Sequence, residues 1–207
     1  MSRQDSSFGL RNFTQIITGS SETPLLSPSA YGVTPGFPTP FFPLSTTTYP
    51  VGVFIGLPRD SGQTIDGHPF EINLSGTISG NTTTNVLINL YNANQASWKD
   101  GPYAGTYTVG TLGSGCTNVV TGTATAGITS SVKVNFWLKA SFIWSSATNI
   151  LSFGSAAQYL NGSVVGIGAT ANATGIKLQD LSFIPSFTFA SGGTNTVTLS
   201  EFFIDRL

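Results

Sequence analysis

Thirteen consecutive residues, Val132 to Trp144 (V-K-V-N-F-W-L-K-A-S-F-I-W), constrain this chain more than any other stretch. Val132, Val134, Phe136, Leu138, Ala140, Phe142 and Trp144 fall on one side of a period-2 pattern. Lys133, Asn135, Trp137, Lys139, Ser141 and Ile143 fall on the other. Successive side chains of a strand point to opposite faces, so this alternation predicts a long strand with one face in a core. The β-branched and aromatic content agrees. On the second face Trp137 and Ile143 stand among lysines and mark a candidate contact surface.

Further β signals surround it. F-E-I-N-L-S-G-T-I places Phe70, Ile72, Leu74 and Ile78 on one face. N-V-L-I-N-L-Y places Val86, Ile88 and Leu90 on one face and Leu87 and Tyr91 on the other, with S-G-N-T-T-T as the intervening turn. G-T-Y-T-V-G-T-L and T-N-V-V-T-G-T-A-T read as two more strands, and I-L-S-F-G and A-A-Q-Y-L as another pair. Asn161-Gly162, ahead of S-V-V-G-I-G, predicts a hairpin, because both residues accept the positive φ that a tight turn needs. L-S-F-I-P-S-F-T-F and T-V-T-L-S-E-F-F-I-D close the chain. In the last strand the apolar side moves from Val197 and Leu199 to Phe202 and Ile204, predicting a bulge near Ser200. With roughly eight to ten short strands and no helical run, the expectation is an all-β fold, a jelly-roll-like β-sandwich.

The first 60 residues differ. Residues 1–18 carry Phe8, Leu10, Phe13, Ile16 and Ile17 in neither period, as a short strand or a docked irregular segment. Eight of the 11 prolines then fall between Pro24 and Pro58. Proline removes a backbone donor and biases its predecessor toward extended backbone, which excludes helix. Large aromatics among these prolines need a dry surface. The expected organisation is an extended Pro-rich N-terminal arm over residues 1–60 and a sandwich body over 61–207. Phe37, Phe41, Phe42 and Tyr49 are the candidate anchors of the arm on neighbouring subunits. The alternative is a long loop wrapped over its own sheet.

Composition limits the partners. Only 8% of residues are charged, against about 25% in an average globular protein. Ser, Thr and Asn make up about a third of the chain, beside 24 glycines. With 40% hydrophobic residues and a net charge of −1, the chain is expected to be ordered, with a neutral, hydroxyl-rich surface. Eight basic residues scattered from Arg3 to Arg206 do not make the patch that nucleic-acid binding requires. No run approaches the ~18 apolar residues of a membrane helix, and M-S-R-Q-D-S-S lacks a signal-like apolar region. The single cysteine, Cys116, excludes an intrachain disulfide and a Cys-based zinc site. Low charge also protects poorly against association, as suits a protein held among copies of itself.

No catalytic motif emerges. His68, the one histidine, lies in D-G-H-P and reads as a turn residue. No G-x-S-x-G surrounds a serine. An acid pair such as Glu71 with Glu201 is left open by sequence distance. Asp60 to Glu71 fails the EF-hand pattern, because Gly62 and Ile65 stand at the third and sixth positions. No cofactor or metal is expected, and the chain reads as a non-enzyme.

V-K-V-N-F-W-L-K-A-S-F-I-W-S-S-A-T-N, Y-L-N-G-S and L-S-F-I-P-S-F-T-F-A-S-G-G-T-N-T-V-T-L-S-E-F-F-I together resemble jelly-roll or tumour-necrosis-factor-like structural proteins of viruses, including decoration (cement) proteins of tailed-phage heads. The resemblance covers residues 132–206 and is one of style rather than of an invariant motif. It implies a non-enzymatic virion protein on the capsid surface, a homotrimer, partnered by the major capsid protein. The Pro-rich N-terminal portion departs from a bare jelly roll. The alternative function is a carbohydrate- or receptor-binding β-sandwich module, such as a tail-fibre tip, with Trp98, Tyr103 and Tyr107 as the sugar platform.

Overall fold

The computed structural model describes residues 10–27, 49–50, 53–54, 66–93, 116–167, 173–175 and 182–207. Every ladder in it is antiparallel, and the strands form two facing sheets. Sheet I runs in the order β1 (Leu10–Thr18), β15 (Thr194–Arg206), β6 (Pro69–Gly80), β10 (Val134–Ser145), β11 (Ile150–Leu160), β12 (Ser163–Ile167), with β13 (Ala173–Thr174) on β11. Sheet II runs β2 (Thr23–Pro24), β14 (Ser182–Phe189), β7 (Thr84–Ala93), β8 (Cys116–Thr121), with β5 (Val53–Phe54) on β14 and β9 (Thr125–Ile128) on β7. β3 (Leu26–Ser27) and β4 (Tyr49–Pro50) form a separate ribbon. The chain passes from one sheet to the other between β6 and β7, β9 and β10, and β14 and β15. Such wrapped connections belong to a jelly-roll-like sandwich rather than to a meander.

The alternation that announces β10 holds through the strand. Val134, Phe136, Leu138, Ala140, Phe142 and Trp144 are buried, and their sequence neighbours are not. Val132 is the correction. It lies before the strand in a turn, its N–H donating to the Thr129 carbonyl, and stays 48% exposed. Phenylalanines stitch the two sheets together. Phe136 meets Phe187 edge-on at 5.4 Å, and Phe142 lies 5.1 Å from Phe183. Each buried phenylalanine contributes about 1.5–3 kcal/mol from burial, with roughly 0.5–1.5 kcal/mol more for a well-oriented aromatic pair.

Two bulges decide which residues face out. On β15 the pairing with β6 slips between Leu199 and Glu201, as the shift in apolar side predicts. Val197, Leu199, Phe202 and Ile204 are therefore all inward. On β11 the pairing slips at Gly154: Phe142 stands opposite Phe153, but Ser141 opposite Ser155. The two short strands expected from I-L-S-F-G and A-A-Q-Y-L are thus one eleven-residue strand with an extra residue in its middle. The Asn161-Gly162 turn forms as expected, with φ of 48° and 86°.

Pro185 sits inside β14 without breaking it. Its carbonyl accepts from Leu25 N–H at 3.0 Å, so the position that lacks a donor faces the same flank. That flank is the gap between β5, paired at Ser182–Phe183, and β2, paired at Ser186–Phe187. The one ladder bond forfeited is the reciprocal one to the Leu25 carbonyl, at the end of the short β2.

Residues 10–27 lie inside the span expected to be an arm, and they are strands of the sandwich. β1 pairs with β15 from Leu10 to Thr18, and β2 then crosses to sheet II. Glu22 fastens this crossing. Its carboxylate accepts from Asn89 Nδ2 at 2.7 Å, Tyr91 Oη at 3.0 Å and Ser186 Oγ at 2.5 Å. The 21 residues 28–48 leave from β3 and return at β4, whose pairing sets Ser27 opposite Tyr49. β5 joins sheet II just after β4.

One core residue is out of keeping. Asn195 is fully buried, opposite Gly80 on β6 and Ile17 on β1, and neither polar atom of its side chain has a partner. A buried amide without hydrogen bonds costs about 1–3 kcal/mol. Asn195→Val is expected to raise the unfolding free energy by about 1–2 kcal/mol in a urea titration. A loss of stability would show that the amide is hydrogen-bonded in solution.

Candidate functional site

The best-defined candidate surface is the outer face of sheet I, which pairs strand to strand into transverse rows. One row runs Glu201, Ser75, Trp137, Tyr159, Val164 across β15, β6, β10, β11 and β12. The next runs Phe203, Asn73, Lys139, Ala157, Gly166. At the centre Trp137 and Tyr159 lie nearly parallel, 11° apart with ring centroids separated by 6.1 Å. Rings offset that far overlap only in part, and both remain partly exposed. Val164 (66%), Ile16 (64%) and Ile143 (43%) add exposed aliphatic surface from edge to edge.

The Gly154 bulge builds this centre. The loop after β10 sets Ser145 opposite Ile150, and an unbroken hairpin would bring Trp137 opposite position 158. One extra residue exchanges the two faces of everything beyond it. Tyr159 is thereby turned outward beside Trp137, and Gln158 is turned inward. The Ser200 bulge acts likewise on β15, leaving Glu201 and Phe203 on the outer side.

Charge on this face is sparse: Arg11 stands opposite Glu201, Asp205 opposite Glu71, and one ion pair forms among the described side chains. Lys139 Nζ lies 3.4 Å from Glu71 Oε1, a diagonal cross-strand pair. Such an exposed pair contributes well under 1 kcal/mol. Its consequence is to leave the middle of the face without a strong field. The acid pair considered from sequence does not form a couple. Glu201 stands opposite Ser75, four residues along β6 from Glu71, or about 13 Å. Lys139, on the far side of β6, holds Glu71 away from β15.

Elsewhere the polar groups are committed to structure. Asp66 accepts from Ser146 N–H at 2.8 Å and from the Ser146 hydroxyl, and these donors hold its carboxyl below the usual carboxylate range. His68 follows this turn, where Gly67, at φ 70°, donates to the Trp144 carbonyl. No group of three His, Cys, Asp or Glu gathers as a metal site among the described residues.

Phe37, Phe41 and Phe42 lie outside the described residues, as do Trp98, Tyr103 and Tyr107. Tyr49 is described at its backbone, in β4. Trp137 and Ile143, noted as a contact surface, do face outward. Tyr159 and Phe203 complete that surface and were not singled out, because their orientation depends on the two bulges.

No family model matches the sequence, and comparison with curated proteins finds no match. Among solved structures the chain is similar to a functionally unknown protein from Saccharomyces cerevisiae, with 12% identity, 98% of this chain and 97% of that chain covered, and a TM-score of 0.32. It is similar also to a lectin from Bauhinia forficata in complex with GalNAc, at 13% identity, 97% and 98% coverage and a TM-score of 0.34. A third is the binding domain of botulinum neurotoxin DC in complex with SialylT, at 12% identity, 95% and 44% coverage and a TM-score of 0.28. Likeness at these scores carries no argument, and the fold rests on the strand pairing.

Proposed function

We propose that this chain is a non-enzymatic structural protein of a virion surface, a capsid decoration protein that docks on the major capsid protein as a homotrimer. The observation that carries the reading is the rooting of residues 28–48. The strands that flank these Pro- and aromatic-rich residues, β3 and β4, pair with each other, and β1 and β2 before them are fastened to the two sheets. Tethering both ends lowers the entropy lost on docking, as do the prolines within. Phe37, Phe41 and Phe42 supply the apolar anchors, with Tyr49 at the base. The resemblance of residues 132–206 to virion proteins agrees, as does the low charge of the chain.

The test replaces residues 29–47 by a short Gly-Ser linker. The melting midpoint of the variant, set beside that of the unaltered chain, establishes that the sandwich is intact. Co-sedimentation with heads of the virus that encodes the protein is expected to be lost. A native mass measurement on the unaltered chain checks the trimer.

A further inference from the structure

We propose that the outer face of sheet I carries a binding site for neutral glycans, centred on Trp137 and Tyr159. The inference does not rest on the capsid reading, and the two are tested on different preparations.

The ligand class follows from what the face offers. Trp137 and Tyr159 are near-parallel, partly exposed rings on adjacent strands, so each leaves ring surface uncovered. An aromatic face takes the apolar C–H side of a pyranose as it takes other apolar groups, without a charged partner. Ser75 and Glu201 lie in the same row, and Asn73 in the next, placing hydroxyl, carboxylate and amide groups beside the rings. A few convergent polar groups around an aromatic centre are what fixes a ligand rich in hydroxyls.

Charge selects against other occupants. The cation nearest the rings, Lys139, is already paired with Glu71. A sialylated, sulfated or phosphorylated ligand would have to compete with Glu71 for Lys139, and the Glu201 carboxylate, whose register partner on β1 is Arg11, lies in the row of the rings two strands away. A neutral glycan meets no such penalty. The rows are also open at both ends, since no strand is turned across this face among the described residues. An open face of this kind takes an extended chain of sugars rather than a single buried one.

The experiment titrates the full chain, free of particles, with neutral gluco-, galacto- and manno-oligosaccharides, and with sialylated and sulfated sets as charged arms. Tryptophan fluorescence and calorimetry give the readouts. Binding is expected for a neutral set alone. Trp137→Ala is expected to weaken it about tenfold or more, Tyr159→Ala several-fold, and Trp137→Phe less than either. Circular-dichroism melts establish that each variant is folded, and Val132→Ala, in the turn before β10, is expected to leave binding unchanged. Absence of neutral-glycan binding by the unaltered chain overturns the proposal. So does preference for the charged sets, or undiminished binding by a folded Trp137→Ala. Self-association that disappears with Trp137→Ala, without glycan binding, would assign the face to a second copy and overturn it equally.

Discussion

Gly76→Ala is expected to destabilise the protein by about 3 kcal/mol or to prevent folding. Gly76 lies on the inward face of β6 between Leu74 and Ile78, two of its fully buried residues. A Cβ there would collide with the Thr198 carbonyl oxygen and come within 3.0 Å of the Leu199 Cα and the Phe136 ring. Two of those obstacles are backbone, in the segment of β15 that enters the Ser200 bulge, so no side-chain rotation relieves the clash. The close approach lets β15 turn its apolar side and keep Phe202 and Ile204 in the core. Gly166→Ala is the control, on β12, where nothing lies within 4 Å of an added Cβ. Denaturant titrations of the two variants are expected to differ by about 3 kcal/mol. A Gly76→Ala midpoint near the unaltered one would mean that β15 does not approach β6 as described.

Gln158→Ala is expected to cost about 2–3 kcal/mol, for a different reason. Gln158 is fully buried on sheet I, yet its amide reaches the loop after β8 in sheet II. Its Nε2 donates to the Thr123 carbonyl at 2.6 Å, and its Oε1 accepts from Thr123 N–H at 3.2 Å. A side chain of sheet I thus satisfies both backbone groups of one residue in the β8–β9 connection, tying the two sheets together there. Gly122 beside it has no room for a Cβ, which would meet Gln158 Oε1 at 2.7 Å. Gln158→Leu keeps most of the volume and removes both bonds, so it is expected to recover only part of the loss. Recovery in full would assign the role to packing alone.

These two positions show what the sequence made legible and what it did not. The alternation of β10, the Asn161-Gly162 turn and the Ser200 bulge could be read directly. Each is a local pattern: a period, a dipeptide and a change of phase in apolar residues. The Gly154 bulge could not, because I-L-S-F-G-S-A-A-Q-Y-L shows no change of phase bold enough to separate one bulged strand from two. Everything beyond it follows from that one residue, including the inward Gln158 and the outward Tyr159. The splitting of residues 10–27 between two sheets was also hidden. Leu10, Phe13, Ile16 and Ile17 suit a strand only once β15 is there to pair with them. Pro185 argues against an interior strand until the gap between two short neighbours, β2 and β5, is seen. Non-local pairing decided each of these cases.

For function, composition pointed away from nucleic acid and catalysis, and the prolines and aromatics pointed to docking. The geometry adds that β3 and β4, which flank the Pro-rich residues 28–48, pair with each other. It adds a second surface, on the far side of β6 and β10 from the core, where bulges assemble rings from distant parts of the chain.

The measurement closest to the central claim is co-sedimentation of the chain with heads, before and after residues 29–47 are replaced by a short linker. The account predicts saturable binding by the unaltered chain and none by a variant that melts at the same midpoint. Undiminished binding by that variant would contradict it.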